Sequence, residues 1–192
     1  MGAGQLEEEG PLTQRLFFGL PVPEEQGHEL AAYLSVCAEK APEFRWTPPT
    51  NLHLTLRFIG SVEVSVAEAI AGILATVPLG GFDIELGGLG TFKRGRLARV
   101  LWLGMRAGAD KAIELAAQVD AECVKAGLAA DARAFQPHLT LARSRRREGA
   151  VFPALPPPPT LRPWRADELI LYRSRLGRPA AVYTALRSLR LS

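Results

Sequence analysis

The chain has 192 residues, of which 47% are hydrophobic and 22% are charged, a composition that excludes a disordered protein and is typical of a globular one. No apolar run reaches the ~18 residues that would indicate a membrane-spanning helix, so we expect no membrane contact. The two cysteines, Cys37 and Cys123, form no CxxC pair, which argues against a disulfide framework or a cysteine zinc site and favours a cytoplasmic location.

The net charge of +3 is unevenly distributed along the chain. Residues 1–13 contain three glutamates and no basic residue, so the remainder carries an excess of positive charge. Most of the basic residues are arginines, whose planar guanidinium groups suit phosphate oxygens, and a polyanionic partner is compatible with this charge. We expect residues 1–13 to be a disordered tail and residues 14–192 to form a single domain.

Hydrophobic periodicity predicts strands and helices that alternate along the chain. In chain order we predict a strand over Arg15–Leu20, a helix over Glu24–Lys40, a strand over Asn51–Phe58, a helix over Val66–Val77 with Ser65 as its N-cap, strands over Phe82–Leu86 and Arg99–Met105, a helix over Asp110–Ala126, a strand that carries His138–Leu141, and strands over Glu168–Arg173 and Ala181–Leu186. Pro156–Pro159 is predicted to be a stiff, exposed linker. This alternation indicates an α+β or α/β fold.

The sequence repeats itself at an offset of 85 residues, the distance from His53 to His138. Four segments recur in the same order without a gap: Leu16–Gly19 matches Leu101–Gly104, Glu29–Ala32 matches Glu114–Ala117, Lys40-Ala41 matches Lys125-Ala126, and His53–Leu56 matches His138–Leu141. Two copies are too few for a repeat array. We therefore predict a bilobal protein with two pseudo-symmetric lobes, each a small, mostly antiparallel sheet with helices.

The last repeated segment is a pair of His-x-Thr strands. With the two-residue period of a strand, the first copy has two predicted faces: an apolar face of Leu52, Leu54, Leu56 and Phe58, and a polar face of Asn51, His53, Thr55 and Arg57. In the second copy His138 and Thr140 share the polar face. Pseudo-symmetry would place the two histidines and two threonines around one cleft between the lobes.

Two imidazoles and two hydroxyls around one cleft can cleave a phosphodiester without a metal. The imidazole pKa lies near neutrality, so one ring can activate water while the other protonates the departing oxygen. A single histidine on a strand is more often an ordinary hydrogen-bonded residue, but these two occupy equivalent positions of a repeat. The pair could also ligate zinc, yet neither motif contains a carboxylate or cysteine to complete a site. We expect no metal and no cofactor.

Arg143 follows His138 by an odd number of residues, so a regular strand would point it away from the cleft. It reaches the cleft only if the strand ends or bulges near Ala142. The alternative is that Arg143 joins the solvated basic run that continues to Arg147. Arg57 has the correct parity for the cleft but stands farther along its strand.

The paired HxTx motifs and their flanks resemble the 2H phosphoesterases, and more closely the LigT-like (ThpR) RNA 2′,3′-cyclic phosphodiesterases. The resemblance covers nearly the whole chain after Gln14, in the segments RLFFGLPVP, RWTPPTNLHLTLRFIG, ARVLWLG, FQPHLTLARSR and LYRSRLGRPAAVYTAL. It implies a bilobal α+β fold with both motifs lining a central cleft. It also implies hydrolysis of a terminal RNA 2′,3′-cyclic phosphate to a 2′-phosphate, which some members reverse to join RNA ends through a 2′–5′ linkage.

The resemblance also implies a role for each motif residue. His53 corresponds to the proton donor to the departing 3′ oxygen, and His138 to the base that activates water. Thr55 and Thr140 correspond to the threonines that hold the phosphate, and Arg143 to an arginine five residues after the second histidine. The implied partner is an RNA with a 2′,3′-cyclic phosphate end, and we expect a monomer.

Two other classes of function stay open: a 2H-fold phosphodiesterase acting on a small cyclic nucleotide, and a non-catalytic RNA-binding module. Intact histidines and threonines in both motifs argue against the module. The run Arg143–Arg147 can follow an RNA backbone and favours RNA over a small molecule. Phe17 and Trp46 are candidates for stacking a terminal base, with core packing as the alternative for each.

Overall fold

A computed structural model describes residues 13–177 and 180–192. The predicted tail over residues 1–13 lies outside this part, except for Thr13, where the first strand begins. The elements in chain order are β1 (Thr13–Pro21), α1 (Glu24–Lys40), β2 (Phe44–Trp46), β3 (His53–Glu63), α2 (Val64–Leu74), β4 (Phe82–Arg94), β5 (Leu97–Ala107), α3 (Ala109–Lys125), β6 (Leu139–Ser144), β7 (Trp164–Ala166), β8 (Glu168–Arg175) and β9 (Val182–Arg190). Among the described helices, none has the length and apolarity required to cross a membrane.

The strands form two antiparallel sheets, which confirms the α+β class. The first sheet has the strand order β3-β1-β8-β9, and the second has the order β2-β6-β5-β4-β7. The 85-residue offset places β1 on β5 and β3 on β6. Strands β1 and β3 are neighbours in the first sheet, and their counterparts β5 and β6 are neighbours in the second. The repeat in the sequence is therefore a repeat in the fold.

The chain crosses between the two sheets more than once. β4 follows the first repeat but pairs with β5 in the second sheet, whereas β8 follows the second repeat but pairs with β1 in the first sheet. The short strand β2 also leaves the first repeat to pair with β6. Each sheet consequently contains strands from both halves of the chain.

The helices and the sheets share one large apolar core. Helix α2 packs against β1, β3 and β9, and α3 packs against α2 and β3. A smaller cluster lies beneath β2, β5 and β6 and consists of Ala41, Phe44, Ala98, Leu101 and Ala142. This packing fixes β3 and β6, the two strands that carry the histidine motifs.

Several local predictions differ from the structure. Ser65 does not cap α2, because the helix begins at Val64, two residues earlier than predicted, and Glu63 occupies the N-cap position. The Ser65 hydroxyl instead lies 3.2 Å from a carboxylate oxygen of Glu63. The segment Pro156–Pro159 is mostly half-buried and not an exposed linker, since the Tyr33 hydroxyl donates to the Pro156 carbonyl at 3.1 Å.

β4 is much longer than predicted. It continues through its glycines to Arg94, because β5 pairs with it along its length and the Trp102 ring packs where a side chain at Gly90 would stand. A glycine that would weaken an isolated strand is here required by close packing of the neighbouring strand.

Candidate active site

The two His-x-Thr strands meet at one cavity. β3 and β6 contact each other between the two sheets. A cavity of about 940 Å³ lies beside them, lined by both motif threonines, by His138 and by Arg143. His53 adjoins it, with its Nε2 atom 2.9 Å from the Thr55 hydroxyl oxygen. The structure thus brings together the five site residues that the sequence predicted.

Each motif strand contains a β-bulge at the equivalent position of the repeat. On β3, Arg57 and Thr55 pair with consecutive residues of β1, which leaves Leu56 without a partner. On β6, Ala142 and Thr140 pair with consecutive residues of β5, which leaves Leu141 without a partner. An extra residue reverses the faces of the residues that follow it.

The bulges decide which side chains face the cavity. After Leu141, Arg143 lies on the same side as His138 and Thr140, and it lines the cavity. This is the irregularity near Ala142 that the sequence required for Arg143 to reach the cleft. Farther along the basic run, Arg145 donates from Nε to the Pro42 carbonyl at 2.9 Å and does not line the cavity.

The predicted polar face of β3 is wrong beyond Thr55. The bulge turns Arg57 into the protein, where its side chain is 10% exposed and its Nε lies 2.6 Å from a carboxylate oxygen of Asp120 on α3. The same guanidinium donates to the carbonyls of Phe58 and Ala129. Arg57 therefore ties β3 to α3 and to the segment after α3, and it does not face the cavity.

Phe58 takes the cavity-facing position that parity assigned to Arg57. It is 50% exposed and lines the cavity, together with Phe92 from β4. Sequence reasoning missed Phe58 because it assumed an unbroken strand, and Phe92 because it ended β4 too early. The repeat contained the signal, since the 85-residue offset places Phe58 on Arg143.

Two hydrogen bonds and several aromatic rings hold His53 in place. Its Nδ1 donates to the Asn51 carbonyl at 2.7 Å, and because a carbonyl can only accept, Nε2 is the unprotonated nitrogen of the neutral ring. The ring centroid lies 4.8 Å from that of Phe17 and 5.0 Å from that of Tyr183. Burial, the largest influence, lowers the pKa of His53; the Asn51 hydrogen bond opposes this, and the nearby charges of Arg143 and His138 add to the lowering. The resulting pKa is about 4.

His138 repeats this arrangement on the second sheet. Its Nδ1 donates to the Gln136 carbonyl at 2.7 Å, which again leaves Nε2 free to accept a proton. Its ring centroid lies 4.8 Å from Phe92 and 6.2 Å from Trp102, and Trp102 occupies the repeat position of Phe17. Burial, followed by the charge of Arg143, lowers the pKa of His138. Two imidazoles with the same unprotonated nitrogen therefore lie at one cavity, and that of His53 accepts from the Thr55 hydroxyl.

The two aromatic residues singled out as base-stacking candidates do not line the cavity. Phe17 is 1% exposed and lies against the His53 ring. Trp46 on β2 donates its indole N–H to the Ala41 carbonyl at 3.1 Å and packs against both apolar clusters. Both residues follow the core-packing alternative, which leaves Phe58 and Phe92 as exposed or half-buried rings for a base.

The third histidine and the two cysteines lie apart from this site. His28 is 76% exposed on α1 and lies 3.8 Å from Glu24. Cys37 and Cys123 are buried and not bonded to each other. Within residues 13–177 and 180–192, no three side chains of histidine, cysteine, aspartate or glutamate gather into a group that could hold a metal ion.

Comparison with known proteins gives matches over almost the whole chain. Residues 22–178 match the model of the 2′-5′ RNA ligase superfamily. An RNA 2′,3′-cyclic phosphodiesterase of Escherichia coli (strain K12) is 31% identical over 91% of this chain and 94% of its own length. The crystal structure of E. coli LigT complexed with 3′-AMP superimposes with a TM-score of 0.80 at 30% identity, covering 94% of this chain and 99% of that one. The crystal structure of TT0787 of Thermus thermophilus superimposes with a TM-score of 0.73 at 27% identity, covering 92% of this chain and 97% of that one.

Proposed function

Because the chain belongs to the 2′-5′ RNA ligase superfamily, we propose that it hydrolyses the 2′,3′-cyclic phosphate at an RNA end to a 2′-phosphate, without a metal. One observation carries this proposal. Both motif histidines donate Nδ1–H to a backbone carbonyl, so Nε2 is the unprotonated nitrogen in each: that of His138 belongs to a residue lining the cavity, and that of His53 accepts from the hydroxyl of the cavity-lining Thr55. That arrangement supplies one proton acceptor and, once protonated, one proton donor on either side of a phosphate.

The two histidines divide the proton transfers. His138 Nε2 takes a proton from water, whose oxygen then forms the new bond to phosphorus. The bond between phosphorus and the 3′ oxygen breaks, and His53 Nε2–H donates its proton to that oxygen. The product has a free 3′ hydroxyl and keeps its phosphate on the 2′ oxygen.

Three further side chains hold the phosphate. The hydroxyls of Thr55 and Thr140 donate to its non-bridging oxygens, and the Arg143 guanidinium balances their charge. The 5′ hydroxyl of a second RNA can occupy the place of the attacking water, and the same proton transfers would then produce a 2′–5′ linkage.

The substrate supplies part of the driving force for protonating the donor. Both histidines have lowered pKa values in the free protein, so both are neutral at pH 7. An anionic phosphate bound between them favours an imidazolium and raises the pKa of the pair. The reactive form is therefore the singly protonated pair with substrate bound.

The proposal extends to a monomer located in the cytoplasm. One chain contributes both motifs to one cavity, so the site needs no second copy. Cys37 and Cys123 are both free, as is usual in a reducing compartment.

The test is an incubation with an RNA that ends in a 2′,3′-cyclic phosphate, in excess chelator. Phosphorus NMR of the product identifies the position of the phosphate. We expect a 2′-phosphate, and we expect His53→Ala and His138→Ala each to lose ~10²–10⁴-fold in turnover. His28→Ala, the exposed histidine of α1, is the matched control and should retain full activity.

Other results would identify other functions. Cleavage of a free cyclic nucleotide with no action on RNA would favour the small-molecule phosphodiesterase. RNA binding without hydrolysis would favour the non-catalytic module. A dependence on added metal, or near-normal turnover of either active-site variant, would exclude the two-histidine mechanism.

A further inference from the structure

The second sheet has a row of arginines beside the cavity. The proposed reaction uses only one of them, Arg143. Arg45 on β2 stands directly opposite Arg143 on β6, and Arg143 stands opposite Val100 on β5, the residue after Arg99. Paired residues of antiparallel strands have Cα atoms about 4.5–5.5 Å apart. Three strands that are adjacent in the sheet thus bring three arginines close together, near enough for the charges of Arg45 and Arg99 to act on Arg143, and we call Arg45, Arg99 and Arg143 the arginine row.

A third bulge directs Arg99 toward the cavity. Lys93 and Phe92 on β4 pair with Ala98 and Val100, so Arg99 has no partner between them. Arg99 and Val100 both line the cavity as a result. The Arg99 guanidinium is also held in place, because it donates to the Arg147 carbonyl.

The arginine row has no carboxylate partners, a feature that it shares with other described arginines but that here coincides with a position on neighbouring strands beside the cavity. Arg57, Arg106, Arg162, Arg165 and Arg187 each lie within 4.0 Å of a carboxylate oxygen. In the described part of the chain, none of the three row arginines forms such an ion pair. Among the described residues that line it, the cavity also has Lys93 and Arg133 and a single carboxylate, Asp131, so positive charge is in excess there and favours the binding of an anion.

The arginines of the row also act on one another electrostatically. The position of Arg143 inside the cavity removes water from its guanidinium and lowers its pKa, and the charges of Arg45 and Arg99 lower it further while Tyr183 opposes them. One phosphate held by Thr55, Thr140 and Arg143 would not engage all three guanidinium groups. Arg45 lies one strand farther out, on the edge strand of the sheet.

We propose that Arg45 and Arg99 form a second anion subsite that binds the phosphodiester between the terminal nucleotide and the nucleotide before it. The inference rests on the proposed function and narrows its substrate to an oligonucleotide of two or more residues. The cavity, at about 940 Å³, lies near the upper end of the roughly 300–1,000 Å³ typical of ligand pockets and has room beyond one phosphate.

Binding of a reaction product tests the subsite without requiring turnover. The probes are two dinucleotides with a terminal 2′-phosphate, one with a natural phosphodiester linkage and one with an uncharged methylphosphonate linkage. Calorimetry on the wild-type chain should give a Kd about tenfold lower for the charged linkage, the size of one charge-assisted hydrogen bond. In Arg45→Gln and in Arg99→Gln this ratio should fall to nearly one.

Arg106→Gln is the matched control. It removes the same charge from the same strand as Arg99, but Arg106 is exposed and lies 3.9 Å from Glu85. The control should keep the tenfold ratio.

Three outcomes would overturn the subsite. They are equal Kd values for the two linkages in the wild-type chain, no binding of either probe, and an equal loss of affinity for both probes in the arginine variants. A failure to hydrolyse the corresponding cyclic phosphates, with the charge preference in binding intact, would count against the proposed function alone.

Discussion

Among single residues, the two histidines have the same hydrogen-bonding pattern but different surroundings. His53 contacts Phe17, Tyr172 and Tyr183, whereas His138 contacts Phe92 and Trp102 at the cavity wall. Matched tautomers do not by themselves decide which ring donates and which accepts. The assignment of His53 as donor therefore needs a test that separates the two roles.

A substrate with a better leaving group provides that test. A p-nitrophenyl phosphodiester releases a stable anion that needs no proton, so the loss of a proton donor should matter little. We expect the rate defect of His53→Ala to shrink on this substrate, while the defect of His138→Ala persists. Steady-state kcat/KM values for the two variants on both substrates measure the difference. Rescue of His138→Ala alone would reverse the assignment of donor and acceptor. Equal rescue of both variants would leave the two roles unassigned.

The lowered pKa of His53 also predicts how stability depends on pH. Its pKa is about 4 in the folded chain and 6.5 in the unfolded one, so the unfolded state binds more protons between these values. The free energy of unfolding should therefore fall as the pH drops from 6.5 to 4, by on the order of 3 kcal/mol at the full shift. Urea unfolding at pH 7 and pH 4.5 measures this loss.

His53→Gln should reduce the pH dependence, since glutamine does not titrate. His28→Gln, at an exposed position, should behave like the wild-type chain. A pH dependence that is identical in all three chains would show that His53 is not the group responsible.

Among the elements, the bulges of β3 and β6 have opposite effects on the positive charge at the cavity. The bulge of β6 brings Arg143 to the cavity, whereas the bulge of β3 removes Arg57 from it and buries it against α3. Asp131, which lies 3.9 Å from Arg57, and Gln136, which accepts the His138 hydrogen bond, both belong to the cavity-lining segment after α3. Arg57 therefore holds one wall of the cavity in place.

Replacement of Arg57 by methionine should destabilise the fold and not remove a phosphate ligand. It would leave Asp120 without its partner and release the Ala129 carbonyl, at a cost of about 3 kcal/mol, the lower end for a broken buried ion pair. Arg187→Met, which breaks the partly exposed pair with Glu68, should cost less than about 1 kcal/mol. Urea unfolding of both variants measures the contrast. If the Arg57→Met chain had normal stability but no longer bound phosphate, Arg57 would be a phosphate ligand, as its position on the predicted polar face suggested.

For the whole molecule, the exchange of strands between the halves makes both sheets interdependent. β8 is the neighbour of β1 in the first sheet, and β8 and β9 supply the Tyr172 and Tyr183 rings that contact His53. A chain that ends at Thr160 keeps both His-x-Thr motifs but loses β7, β8 and β9. We expect it to show no cooperative thermal unfolding by circular dichroism.

Deletion of residues 1–12 is the comparison for this truncation. That segment precedes β1, and we expect its removal to leave the midpoint of thermal unfolding unchanged. A cooperative transition in the chain ending at Thr160 would mean that the first sheet does not depend on the C-terminal strands.

The sequence by itself determined the features that depend on local pattern. The three- and four-residue spacing of apolar residues predicted α1 over Glu24–Lys40, its full extent in the structure. The 85-residue offset predicted two related halves, and the matched His-x-Thr segments predicted a shared site. Such features are readable because each follows from the spacing of residues along one stretch of chain.

Only the tertiary structure decided what depends on the pairing of distant strands. The bulges at Leu56 and Leu141 exist relative to β1 and β5. The first exchanges Arg57 for Phe58 at the cavity, and the second brings Arg143 to it. The short strand β2 has too few residues for a periodic pattern, yet its pairing with β6 places Arg45 beside Arg143. A one-residue change in register turns a side chain to the opposite face of the sheet. The register is set by the partner strand, which the alternation of residues along one strand does not identify.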